Sequence, residues 1–134
     1  MGEMTDEPQG ASGTALDYFA TARDEINRAT TEDALLHSII AEARLRGWLA
    51  YHARPARTKH GRWVTPMQGD AGFPDLVLVR PPRVVFIECK SERGRLSPEQ
   101  SAWLDALFAS AAIGGVETYI IRPRDRDRIS GILA

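Results

Sequence analysis

Residues 72–90 read GFPDLVLVRPPRVVFIECK, and this stretch decides the fold. Leu76-Val77-Leu78-Val79 and Val84-Val85-Phe86-Ile87 are continuously apolar rather than alternating, which predicts two strands buried on both faces. Such strands need layers on either side of their sheet, an α/β sandwich rather than an open antiparallel sheet. Pro81-Pro82 must be the turn, and any symmetric loop centred there pairs residues whose numbers sum to 163. Two prolines cannot take the positive φ angles of a type I′ turn, so a loop of four residues or more is expected. A longer symmetric loop keeps the same pairing. Asp75 then faces Glu88, with Cβ atoms about 5 Å apart on one face of the sheet. Lys90, two residues on, shares that face.

Two facing carboxylates repel, and one is driven neutral unless a cation intervenes. Magnesium takes one or two protein carboxylates and keeps its other positions for water and phosphate. Such an ion lowers the pKa of bound water, and an ammonium beside it adds a positive group near the phosphate. These are the parts of phosphodiester hydrolysis. In the rival reading, Lys90 merely neutralises an ordinary ion cluster. Charged groups at the mouth of an apolar hairpin are expensive decoration, which favours a site.

Working outward, Ser97-Pro98-Glu99-Gln100 opens a helix, with Ser97 as N-cap, Pro98 in the first turn and Gln100 completing a capping box. Trp103, Leu104, Leu107, Phe108 and Ala111 form its expected buried stripe, and Gly114-Gly115 end it. Residues 116–121 read as the last strand, and 125–133 as a short terminal helix. Upstream, Thr31 caps a helix whose core face is Leu35, Leu36, Ile39, Ile40 and Ala43, stopped at Gly47. Residues 48–52 read as a strand. Residues 53–72 are a long loop with a short strand at 62–65, and loops of that length are usually functional or mobile. Residues 1–14 are read as a disordered acidic tail and 15–30 as a weak amphipathic helix, with Leu16, Phe19 and Ile26 roughly on one side. Residues 31–134 form one expected domain.

The 134 residues carry a net charge of −1, unevenly spread. Residues 1–33 hold eight acids and two bases, net −6, leaving +5 for the rest. No acid lies between Glu42 and Asp70, where six Arg and Lys residues fall. Such a stretch suits DNA phosphates, although a solvated loop would have the same composition. The candidate DNA contacts are Arg54, Arg57, Lys59, His60 and Arg62, with Arg93 and Arg95 after the motif. A single cysteine, Cys89, excludes an intrachain disulfide, and no apolar run approaches the roughly 20 residues of a membrane span. The expected location is the cytoplasm, that of a host if the chain is viral. Neither a membrane nor an organic cofactor is expected as a partner.

Gly72-Phe73-Pro74-Asp75 followed by Glu88-Cys89-Lys90 resembles the PD-(D/E)XK nuclease motif. The fuller run, GFPDLVLVR…VVFIECKSERGRLSPEQSAWLDAL, resembles the VRR-NUC branch of that superfamily, often phage-encoded. With TEDALLHSIIAEARLRGWLAYH, the likeness covers about residues 31–123. It implies a restriction-endonuclease-like α-β-β-β-α-β core with a mixed central sheet flanked by helices. It also implies dependence on Mg2+, with Mn2+ as substitute, and cleavage of branched DNA such as a Holliday junction or flap. Stand-alone members resemble dimeric Holliday-junction resolvases, so a homodimer is expected.

Under this resemblance Asp75 and Glu88 match the metal-binding acids and Lys90 the catalytic lysine. Glu32 matches the first-helix acid, Gln100 the glutamine that follows the lysine, and the Cys89 main-chain carbonyl a further metal ligand. The family often carries a glutamine four residues after the first-helix acid, and Leu36 stands there. Glu32 has a rival role at the positive end of the helix dipole, although its place on the core-facing stripe makes an idle acid costly. Gln100 has one as a capping partner. The Cys89 side chain reads as core, not as nucleophile or ligand. His37 and His52 read as surface or packing residues, and Gly72 as room for the chain to turn. Two alternatives stand beside a structure-selective endonuclease: a nicking or restriction-like enzyme reading a short sequence, and a non-catalytic DNA-binding module.

Overall fold

The computed structural model describes residues 13–53, 56–64 and 67–134. Helix α1 (Ala15–Ala29) precedes α2 (Glu32–Leu45), and strand β1 (Leu49–Tyr51) follows. A small antiparallel hairpin follows in the long loop region: β3 (Trp63–Val64) falls within the short strand expected at 62–65, and its partner β2 (Ala56–Arg57) was not expected. Then come β4 (Leu76–Arg80), β5 (Arg83–Cys89), α3 (Pro98–Ser110), β6 (Val116–Ile121) and, after a 3-10 segment at Pro123–Arg128, α4 (Ile129–Ile132). The main sheet runs β1-β4-β5-β6. β4 is antiparallel to both β1 and β5, and β6 is parallel to β5. This mixed, open, four-stranded sheet flanked by helices is a restriction-endonuclease-like α-β-β-β-α-β core, with the β2–β3 hairpin inserted. Among the described residues no helix is long and apolar enough to cross a membrane.

The register is the predicted one: Leu76 pairs with Ile87, Leu78 with Val85 and Arg80 with Arg83. The loop is shorter than expected. Pro81 and Pro82 alone close it, because their peptide bond is cis, as in a type VI turn, and needs no positive φ.

Burial is lopsided. Leu76, Leu78, Val85, Ile87 and Cys89 point toward α2 and the C-terminal segment. There Leu35, Ile39, Ile121, Ile129 and Leu133 are sealed from solvent, each such side chain contributing about 1.5–3 kcal/mol. Only Leu104 of the expected α3 stripe is buried. Trp103 and Leu107 are half-buried and Phe108 is exposed. The sheet face beneath α3 is therefore the thinner layer, with Val77 and Val79 only half-buried.

Helix α1 forms, capped reciprocally by Thr14 and Asp17, but it buries no residue. Leu16, Phe19 and Ile26 stay exposed, so the expected amphipathic face packs on nothing described. Thr14 belongs to this helix cap rather than to a tail, and residues 1–12 lie outside the described residues. The terminal helix expected over 125–133 begins as 3-10 turns and becomes α-helical only at Ile129.

Candidate active site

Asp75 enters the site on a segment pressed against α3. Gly72 has φ +95°, and a Cβ there would lie 2.5 Å from the Glu99 carbonyl carbon and 2.6 Å from the Gln100 nitrogen. Only glycine allows both this conformation and so close an approach of two backbones. Phe73 then fixes the segment, edge-on to Trp103 at 5.1 Å and to Phe86 at 6.0 Å. Beyond it the Asp75 carboxylate accepts a hydrogen bond from the Cys89 backbone N–H at 2.8 Å. The His52 ring lies 2.8 Å from the Asp75 carbonyl oxygen through Nδ1, which donates to it.

Glu88, next to last in β5, is buried to 1% exposure, and Lys90, just past the strand, to 7%. Lys90 Nζ stands 3.6 Å from Glu88 Oε1. The same oxygen accepts from Gln100 Nε2 at 2.9 Å. Gln100 fills both roles weighed for it, because its Oε1 also accepts from the Ser97 N–H at 2.9 Å in the α3 capping box. Capping thus points the amide nitrogen at Glu88. Asp75, Glu88, Lys90 and Gln100 come together as predicted.

The electrostatics match the expected conflict. Burial first, then the Asp75 charge, pushes the Glu88 carboxyl up to about 8. Burial also raises Asp75, against the Cys89 N–H that lowers it. Glu88 Oε2 is buried and makes no hydrogen bond of ordinary geometry among the described residues; the Asp75 carboxyl and N–H are its hydrogen-bonding neighbours. Such an atom is costly unless something absent from the protein pairs with it. Burial raises the Cys89 thiol far above its usual range, and the side chain faces the core, so it is neither nucleophile nor thiolate ligand.

The remaining predicted residues are more scattered. Glu32 is exposed, so the argument from a costly core position does not hold for it. Its carboxylate instead accepts from the Ser91 N–H at 3.3 Å, and it shares a cavity of about 240 Å³ with Asp75 and Cys89. Lys59, His60 and Arg62 are exposed on the β2–β3 hairpin. Arg54 and the Arg57 side chain lie outside the described residues. Arg95 is exposed, and Arg93 borders a separate pocket with Asp24 and Arg28 of α1.

Two further residues brace the backbone of the site. His52 is half-buried and borders both the 240 Å³ cavity and a groove of about 750 Å³ that contains Asp75, Gln100 and Trp103. Arg122 donates through Nη1 to the carbonyls of Ser91 at 2.6 Å and Gly94 at 2.8 Å, fixing the chain just after Lys90. Neither has a local sequence signal, because each acts on backbone distant along the chain.

Among the described residues no cluster of three or more His, Cys, Asp or Glu side chains is arranged to hold a metal. Two carboxylates of raised pKa, one with an oxygen that has no well-formed hydrogen bond among the described residues, nevertheless fit a hard divalent cation that takes few protein ligands. Comparison with known proteins bears on the family alone. The family model of the VRR-NUC domain matches residues 56–122. No curated protein and no solved structure matches the chain.

Proposed function

The chain belongs to the VRR-NUC domain family and is a nuclease of the PD-(D/E)XK-like superfamily, and from that premise we propose a Mg2+- or Mn2+-dependent endonuclease that hydrolyses branched DNA at Asp75, Glu88 and Lys90. The observation that carries this reading is the buried Glu88, whose Oε2 has no well-formed hydrogen bond among the described residues, beside the half-buried Asp75. Asp75 and Glu88 would hold the cation, with Glu32 and the Cys89 carbonyl as outer candidates bordering the same cavity. The bound ion would supply Lewis acidity, lowering the pKa of its water and offsetting charge on the phosphate.

The protein's own groups do the rest. Gln100 holds Glu88 Oε1 in one orientation, leaving Oε2 directed elsewhere. Lys90 Nζ stands beside the Glu88 carboxylate, where it orients the attacking water and stabilises charge developing on phosphate oxygens. The Cys89 N–H and His52 fix the Asp75 carboxylate and carbonyl. The exposed bases of the β2–β3 hairpin contact DNA phosphates. A homodimer would bring two such sites to the two strands of a symmetric junction, and the expected compartment is the cytoplasm.

The test is cleavage of labelled four-way junction, flap and linear duplex with Mg2+, Mn2+ or EDTA. Metal-dependent cutting of the branched substrates, lost in Lys90→Ala, is the expected result. Equal cutting of duplex and branched DNA would refute structure selectivity. Cutting in EDTA would refute the metal.

A further inference from the structure

A second groove, of about 650 Å³, lies between α2, β1 and β3 and opens on Arg44, Tyr51, His52 and Trp63. Tyr51 and His52 also border the 750 Å³ groove that contains Asp75 and Gln100. The two grooves therefore meet at one corner, formed by the end of β1. The outer groove has the size of sites that enclose a drug-sized molecule, roughly 300–1,000 Å³, which suits a nucleotide and not a duplex.

Its lining suits an unpaired strand. Tyr51 exposes 63% of its surface to this groove's side of the molecule, and Trp63 lies on the same lining. Ile40 and Ala50 add apolar surface between them. Arg44 is exposed, at the start of the chain segment from 43 to 69 that contains no acid. Asp33 is the acid on this surface, and it faces His37, whose Nδ1 lies 3.5 Å from its carboxylate. Aromatic faces beside a cation, continuous with a phosphodiesterase centre, are how single strands are held without reading sequence.

We propose that this groove is the track for an unpaired strand of the DNA substrate, with Tyr51 as the base-stacking surface, Arg44 as a phosphate contact, and His52 at the corner where the strand turns toward Asp75. The proposal rests on the nuclease reading and deepens it by naming what selects a branched substrate. A flap or a frayed junction arm supplies an unpaired strand, whereas a linear duplex does not.

The test uses the full chain carrying Lys90→Ala, so that DNA is bound and not consumed. Anisotropy of a labelled single-stranded oligodeoxynucleotide and of a duplex of equal length is read with and without Tyr51→Ala. The variant is expected to weaken single-strand binding about five- to a hundredfold, the size of one lost base stack. Duplex affinity should stay within about twofold, and Tyr51→Phe should restore single-strand binding. Tyr51 is exposed, so the fold does not depend on it. Equal loss of single-strand and duplex affinity, or no loss of either, would overturn the groove. A chain without Lys90→Ala that cuts no DNA yet binds the oligonucleotide through Tyr51 would refute the nuclease reading and leave the groove standing.

Discussion

The β4–β5 hairpin carries charges at both ends, and the two ends are finished differently. At the turn, Arg83 grips Glu117 through two hydrogen bonds of 2.6 and 2.8 Å and also donates to the Ile132 carbonyl. Tyr119 donates to the same glutamate at 2.7 Å, and the guanidinium groups of Arg80 and Arg83 lie over the Trp48 ring. The Arg83 pair holds the Glu117 carboxyl below its usual range. At the open end, Glu88 is more deeply buried, has one oxygen without a well-formed hydrogen bond among the described residues, and is raised to about 8. Each end pairs an acid with a base, Arg83 with Glu117 of β6 at the turn and Lys90 with Glu88 at the open end. Saturation separates them: a structural charge cluster uses up its acceptors, and a site keeps one in reserve.

Glu88→Gln should break this contrast hardest. Loss of one carboxylate is expected to lower cleavage by on the order of 10³-fold or more, about 4 kcal/mol of transition-state stabilisation. Stability should move the other way. Unfolded Glu88 releases its proton near its usual 4.5, while folded Glu88 keeps it until about 8. The folded state binds the extra proton in between, so wild-type stability declines as pH rises from about 4.5 to about 8 and is level above that. Melting in EDTA from pH 5 to 9 should show this decline in the wild type and a flatter profile in Glu88→Gln. Mg2+ should restore the wild type most at high pH, because it binds the ionised pair. Identical profiles for the two proteins would remove the electrostatic argument for the site.

Gly72→Ala comes next. Its Cβ would meet the first-turn backbone of α3 at 2.5 Å, in a φ that alanine resists, so a cost of about 2–3 kcal/mol is expected. That turn carries Gln100, so cleavage should fall by more than about tenfold even where the variant remains folded. A stable variant of normal activity would show that α3 yields without disturbing Glu88. At the other end of the hairpin, Arg83→Ala should cost about 1–2 kcal/mol near pH 7 and leave cleavage unchanged. The depressed Glu117 pKa contributes stability above about pH 4.5 that is lost as pH falls through its folded value, so the variant and wild type should converge in acid. A cleavage defect in Arg83→Ala would mean that the two ends communicate.

How far the sequence revealed this depended on the range of the signal. Asp75, Glu88 and Lys90 could be placed because a hairpin has one pairing sum and a strand has period two. Gln100 was legible as a cap, and its reach to Glu88 follows from α3 lying across that face. Local rules misjudged the turn, since they weigh trans prolines and a cis bond closes it in two residues. They also misjudged α3, where helical periodicity marked five buried positions and only Leu104 is sealed. His52 and Arg122 carry no pattern at all, because their partners are main-chain carbonyls 23 and about 30 residues away.

The smallest expected effect on stability tests the chain's other asymmetry, its acidic start against its basic remainder. Helix α1 buries none of its side chains, and its side-chain tie to the C-terminal 3-10 segment is the Arg23–Asp127 pair, with both partners largely exposed. Exposed pairs contribute about 0–1 kcal/mol, so deleting residues 1–29 should shift the melting temperature little. The deletion removes six acids and two bases and so turns a net −1 into +3. If the acidic segment competes with phosphates for the basic surface, the truncated chain should bind DNA more tightly at low salt. The gain should vanish as salt screens both interactions. Unchanged affinity at every salt concentration would show that the segment and the DNA surface act independently. A large loss of stability would show instead that α1 belongs to the fold, although it contributes no buried side chain.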